Sequence, residues 1–88
     1  MQVVFLKTFS KDLDKLRDVA VKEQLLNVIG ELKESETLTE VKNIKKLKGF
    51  KNYYRIRIGH YRLGITYENH TISFVRFLSR KDIYKFFP

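Results

Sequence analysis

The stretch Tyr53-Tyr54-Arg55-Ile56-Arg57-Ile58-Gly59-His60-Tyr61-Arg62-Leu63-Gly64-Ile65 alternates apolar and basic side chains on either side of a Gly-His pair. Alternation at period two is the pattern of a strand with one face in the core and the other toward solvent. A two-residue connection with glycine first predicts a hairpin closed by a type II′ turn at Gly59-His60. That length sets the register: Ile58 faces Tyr61, Arg57 faces Arg62, Ile56 faces Leu63, Arg55 faces Gly64 and Tyr54 faces Ile65. One face then carries Tyr54, Ile56, Ile58, Tyr61, Leu63 and Ile65, which helices can cover, and the other carries Arg55, Arg57 and Arg62.

Downstream, Thr71–Leu78 reads as a third strand, so that Tyr53–Ile58, Tyr61–Tyr67 and Thr71–Leu78 form an antiparallel meander. An even loop before the third strand would put Arg76 opposite Leu63, in the core, so an odd loop or a bulge is expected. With Glu68-Asn69-His70 as the loop, Arg76 lies across from Arg62, while Val75 and Phe77 fall beside Leu63 and Tyr61 on the core face. Four arginines then share one sheet face. Like charges directly opposite each other cost up to about 1 kcal/mol per pair, so such a face calls for an anion. The competing reading is a set of mobile side chains that splay into water and discourage edge pairing. Gly64, opposite Arg55, leaves a gap on that face where a backbone or a phosphate can approach.

Upstream, Gln2–Lys7 contains Val3, Val4, Phe5 and Leu6 and reads as a first strand. Phe9, Leu13 and Leu16 then follow at helical spacing, with Thr8 or Ser10 as the N-cap. After Asp18, a second cap, Val21, Leu25, Val28, Ile29 and Leu32 continue that spacing for about four turns, to an end near Lys33–Ser35. Residues 35–51 read as a polar connection from which Leu38, Val41, Ile44 and Leu47 dock. Beyond the meander, Ile83, Phe86 and Phe87 read as a short helical tail docking on the core. The chain is therefore expected to be one α+β domain over residues 1–88, in the order β-α-α-β-β-β with a short C-terminal helical tail.

Composition narrows the function. Eighty-eight residues with no cysteine exclude a disulfide framework, and two histidines without a thiolate disfavour a zinc or iron–sulfur site. No apolar run approaches the roughly 20 residues of a membrane span, and the apolar stretch at the N-terminus is too short for a signal peptide, so a cytoplasmic protein without membrane contact is expected. Residues 1–43 hold seven Lys/Arg against eight Asp/Glu, whereas residues 44–88 hold eleven against Glu68 and Asp82. The net charge of +8 thus belongs entirely to the second half, an asymmetry that favours a polyanion such as nucleic acid over a merely soluble surface.

Arginine forks match phosphate oxygens, and several converging on one phosphorus stabilise its pentavalent state. Without clustered carboxylates to hold Mg²⁺, the expected chemistry is metal-independent and cofactor-free, and it requires RNA, whose 2′-hydroxyl attacks the adjacent phosphate. Lys48, Lys51, Arg55, Arg76 and Lys81 are the expected RNA contacts, and Tyr84 can stack on a base or orient the phosphate. His60, at the hairpin tip, is one candidate for proton transfer.

Leu47-Lys48-Gly49, Tyr54-Arg55-Ile56-Arg57-Ile58, Tyr61-Arg62-Leu63 and Ser79-Arg80-Lys81-Asp82-Ile83-Tyr84, in that order and spacing, resemble the RelE/ParE superfamily of bacterial toxin–antitoxin modules, and more closely its RelE-like mRNA-cleaving toxins. The resemblance covers nearly the whole chain and implies a RelE-like microbial RNase fold. It implies a ribosome-dependent endoribonuclease that cuts mRNA in the A site of the 70S ribosome, leaving a 2′,3′-cyclic phosphate and a 5′-hydroxyl. A cognate antitoxin that blocks the toxin is implied as well. By position, Arg62 and Arg80 match the family's catalytic arginines and Tyr84 its substrate-orienting tyrosine. Arg55 and Arg57 stand where RelE proper has lysines, the second of them assigned as general base. A guanidinium is a poor proton acceptor, so Arg57 is cast as an electrostatic stabiliser. The base is then His60, a lysine such as Lys48, Lys51 or Lys81, or none, and Ser79 replaces a histidine found in many relatives. Two other readings remain: a DNA gyrase inhibitor of the ParE type, and an RNA-binding domain without turnover.

Overall fold

Phe9, Leu25, Leu32, Ile56, Leu63, Ile65, Ile72, Phe74 and Phe77, each 2% exposed or less, form the centre of one core between two helices and one face of a sheet. The computed structural model describes all residues 1–88. Strand β1 (Gln2–Phe5) leads into helices α1 (Lys7–Lys15) and α2 (Val19–Glu34). A 3₁₀ turn at Leu38–Glu40 precedes β2 (Ile44–Lys46), and β3 (Tyr53–Ile58), β4 (Tyr61–Glu68) and β5 (Thr71–Ser79) form the meander before helix α3 (Arg80–Phe86). The sheet order is β1-β5-β4-β3-β2, with β1 parallel to β5 and every other pair antiparallel.

The first hairpin has the expected register, from Ile58 opposite Tyr61 to Tyr54 opposite Ile65, and Gly59 turns with φ +59°. In α2 the cap is Asp18, whose side chain accepts from the Val21 amide at 3.2 Å, and Leu25, Ile29 and Leu32 face the core. The first helix differs from expectation. It begins at Lys7 without a side-chain cap, because the Thr8 hydroxyl donates instead to the Val75 carbonyl on β5 at 2.6 Å.

Three further departures shape the site. The polar connection contains β2, which pairs with β3 so that Ile44 lies opposite Ile56 and Lys45 opposite Arg55. The second hairpin closes on Asn69-His70 alone, both with positive φ as a type I′ turn requires, and Glu68 pairs with Thr71. A bulge at Gly64/Ile65 then restores the face, leaving Val75 unpaired, Phe77 opposite Leu63, and Arg76 opposite Gly64 rather than Arg62. Finally, the gap above Gly64 is filled. A Cβ there would stand 2.8 Å from the Phe87 ring, so glycine admits this aromatic rather than a phosphate. Ile83 and Phe87 dock as expected, but Phe86 is 56% exposed.

Candidate functional site: a cationic cleft

The alternation that buries Ile56 and Ile58 forces Arg55 and Arg57 onto the opposite face of β3, and the II′ turn brings Arg62 of β4 directly across from Arg57. β2 adds Lys45 to the same face by its pairing with Arg55. Helix α3 adds Tyr84. It starts at Ser79, whose hydroxyl accepts from the Asp82 amide at 3.2 Å, and it is tied to the hairpin by the Arg80 amide donating to the His60 carbonyl at 2.8 Å. The result is a cleft of about 330 Å³ lined by Asn43, Ile44, Lys45, Arg55, Arg57, Arg62 and Tyr84, with four cationic side chains and no carboxylate.

Each guanidinium is held by a neutral group. Asn43, at φ +62°, accepts twice from Arg57: its carbonyl from the backbone amide and its Oδ1 from Nη2, both at 3.0 Å. Arg62 Nη1 donates to the carbonyls of Gly59 at 3.0 Å and Tyr61 at 2.9 Å. The Arg55 guanidinium lies over the Tyr84 ring, 4.6 Å from its centroid, a cation–π contact.

Crowding leaves an electrostatic signature. The Arg62 pKa lies below the ordinary arginine value because of desolvation first and then repulsion from Arg80, Arg57 and Arg55, with Tyr84 acting in the opposite sense. The Tyr84 phenol is also shifted down, chiefly by the charge of Arg55, with desolvation opposing and the nearby Arg80 adding to the lowering. Arg80 therefore belongs electrostatically to the cluster although it is exposed beside the cleft rather than lining it.

Other expected contacts fall elsewhere. Lys48 and Lys51 are exposed in the β2–β3 connection, Lys81 is exposed on α3, and His60 is exposed at the turn; none lines the cleft. Arg76 does not join the cluster. Its Nε and Nη2 donate to Asp12 of α1 at 2.7 and 2.9 Å, and this pairing raises its pKa. Asp12 also accepts from the Phe77 amide at 3.0 Å, satisfying a strand position beyond the end of β1. A larger neighbouring hollow, about 460 Å³, includes this internally neutralised pair together with Lys15, Asp82 and Phe86, and so lacks the net positive charge of the first. Sequence reasoning missed Asn43 and Lys45 because it had no strand at 44–46 to place them. No three His, Cys, Asp or Glu side chains gather anywhere to hold a metal ion.

A family model described as the ParE toxin of the type II toxin–antitoxin system parDE matches residues 3–84. This chain belongs to the ParE/RelE toxin family. It is 46% identical to Toxin RelE3 of Methanocaldococcus jannaschii over the full length of both. Among solved structures it is similar to the RelB-RelE antitoxin–toxin complex from Methanococcus jannaschii, at 44% identity and a TM-score of 0.83, covering 97% of this chain and 99% of that one. The intact E. coli RelBE toxin–antitoxin complex matches with a TM-score of 0.70 over 89% of this chain and 94% of that one; at 24% identity this likeness speaks for the fold. The chain is thus a RelE toxin of a type II toxin–antitoxin system, with the family's α+β fold. In this RelE chain, the arginines matched by position are one in the cleft, Arg62, and one at its margin, Arg80.

Proposed function

We propose that this RelE toxin is an endoribonuclease that enters the ribosomal A site in the cytoplasm, cuts the mRNA there without a metal ion, and so inhibits translation. The observation that carries the reading is a cleft with four cations and no carboxylate. Such a cleft attracts a phosphodiester and has no carboxylate to offer Mg²⁺. RNA supplies its own nucleophile. Arg62 and Arg80 stabilise the phosphorane, while Arg57, fixed by Asn43, and Arg55 provide charge and alignment. Tyr84, 60% exposed on the cleft wall, presents its ring to a nucleobase. The M. jannaschii RelE relative was solved with its RelB antitoxin, and a cognate antitoxin is proposed for this chain too.

The ParE description of the matching family model favours a second reading, inhibition of DNA gyrase. One experiment separates the two: purified protein is added to programmed ribosomes and mRNA 5′ ends are mapped, with the same mRNA alone as control. Cuts inside A-site codons that require ribosomes are expected. Intact mRNA in both reactions would reject the nuclease reading, and linearised plasmid DNA after induction, with translation intact, would establish the gyrase one.

A further inference from the structure

Phe5, Phe50 and Phe86 are exposed, and an exposed phenylalanine by itself says little. Phe5 packs on Phe9 and Phe74 beside β1, and Phe86 lies in the hollow shared with Asp12 and Asp82. Phe50 differs in its surroundings. It stands in the β2–β3 connection between Lys48 and Lys51, both exposed, in a stretch with no acid between Glu40 and Glu68. The connection is closed at its base by the Leu47 amide donating to the Tyr53 carbonyl at 2.9 Å. Its ring has a firm backing: the centroid lies 5.6 Å from that of Tyr53, and Tyr53 in turn lies 5.6 Å from Phe87, which is 4% exposed.

This aromatic row belongs to the cleft's face of the sheet. Alternation puts Tyr53 on the same side of β3 as Arg55 and Arg57, and Phe87 covers Gly64, the β4 partner of Arg55. Tyr53 is four residues from Arg57, roughly 13 Å along an extended strand. The face therefore runs from the Arg57–Arg62 pair past Arg55 and Lys45 to Tyr53, Phe50 and the two lysines. Cations beside an exposed ring are how single-stranded nucleic acid is held, the charges following the backbone and the ring taking a base.

We propose that Phe50 is a second base-stacking platform: a nucleotide of the mRNA outside the scissile step lays its base on the exposed side of the Phe50 ring, with Lys48 and Lys51 on the neighbouring phosphates. The assignment rests on the nuclease reading above and extends its substrate contacts beyond the cleft.

The test is single-turnover cleavage of ribosome-bound mRNA over a range of protein concentrations, with one abasic nucleotide placed at each position around the cut in turn. Phe50→Leu keeps an apolar side chain against Tyr53 but has no aromatic face, whereas Phe50→Trp keeps one. Phe50→Leu is expected to raise the half-saturating protein concentration about 5- to 100-fold, the range of one base–aromatic stack, with a smaller effect on the rate at saturation. Phe50→Trp is expected to behave as the wild type. One abasic position outside the cut nucleotides gives the wild type the same rise, and in Phe50→Leu that mRNA binds no worse than the intact one. A wild-type half-saturating concentration for Phe50→Leu, a defect confined to the rate at saturation, or losses that multiply at every abasic position would each overturn the platform and leave the nuclease reading standing. A wild-type protein that cuts no mRNA would overturn both.

Discussion

Gly64→Ala tests how the C-terminal helix is seated on the sheet. The new Cβ would stand 2.8 Å from Cγ, Cδ1 and Cδ2 of Phe87, well inside the roughly 3.5–4.0 Å of a carbon–carbon contact. Phe87 is 4% exposed, with the Tyr53 ring 5.6 Å away, so the aromatic cannot simply slide along the sheet. Two responses remain. Forcing the methyl in costs about 1–3 kcal/mol of overpacking. Expelling the ring forfeits its burial, about 1.5–3 kcal/mol, and loosens the helix that carries Tyr84 and Arg80. Both routes converge on about 2 kcal/mol, which lowers the melting temperature of a chain this size by roughly 8–16 °C. Thermal unfolding followed by circular dichroism reads that shift directly. The decisive comparison is a double-mutant cycle with Phe87→Ala, where the ring is gone and the same methyl is expected to cost little, giving a coupling of about 1–2 kcal/mol. An unchanged melting temperature for Gly64→Ala, or an equal cost in both backgrounds, would refute the contact as the reason for glycine.

Asp12→Ala removes the acceptor of both Arg76 nitrogens and of the Phe77 amide; a loss of about 2–3 kcal/mol is expected in urea unfolding, below a fully buried pair because Arg76 keeps a quarter of its side-chain surface in water. Arg62→Ala and Arg80→Ala are expected to abolish growth arrest with little change in melting, since Arg80 is exposed and Arg62 gives up only two hydrogen bonds to carbonyls; a fully toxic double mutant would contradict their roles. Arg57→Lys is expected to retain cleavage of ribosome-bound mRNA because it keeps the charge, and a large loss would show that the guanidinium's hold on Asn43 is required.

What the sequence disclosed and what it withheld divide along contact range and signal length. The β3–β4 hairpin was legible because six alternating positions on each strand flank a turn whose glycine admits one geometry. β2 was not: three residues with one core-facing side chain, Ile44, produce no periodicity, and their strand character comes from pairing with Arg55 and Ile56 rather than from their own propensity. The Asn69-His70 turn was obscured because a histidine at φ +61° occupies a place where glycine is the usual signal. Arg76 and Gly64 were misread for a common reason, since Asp12 lies 64 residues from one and Phe87 lies 23 from the other, beyond any local pattern. Parity nevertheless put all four arginines on one face, and the structure shows how that face is tolerated. Arg76 alone receives a carboxylate, from Asp12, and it is the one drawn away from the cleft. The Arg57 guanidinium is held by the Asn43 side-chain amide, Arg62 by two backbone carbonyls, and Arg55 by an aromatic face, all of which restrain a guanidinium without cancelling its charge. A carboxylate at any of those positions would relieve the repulsion and compete with a phosphate for the same forks. Keeping acids out of the cleft therefore leaves charge repulsion unrelieved in the free protein that a bound phosphodiester would offset.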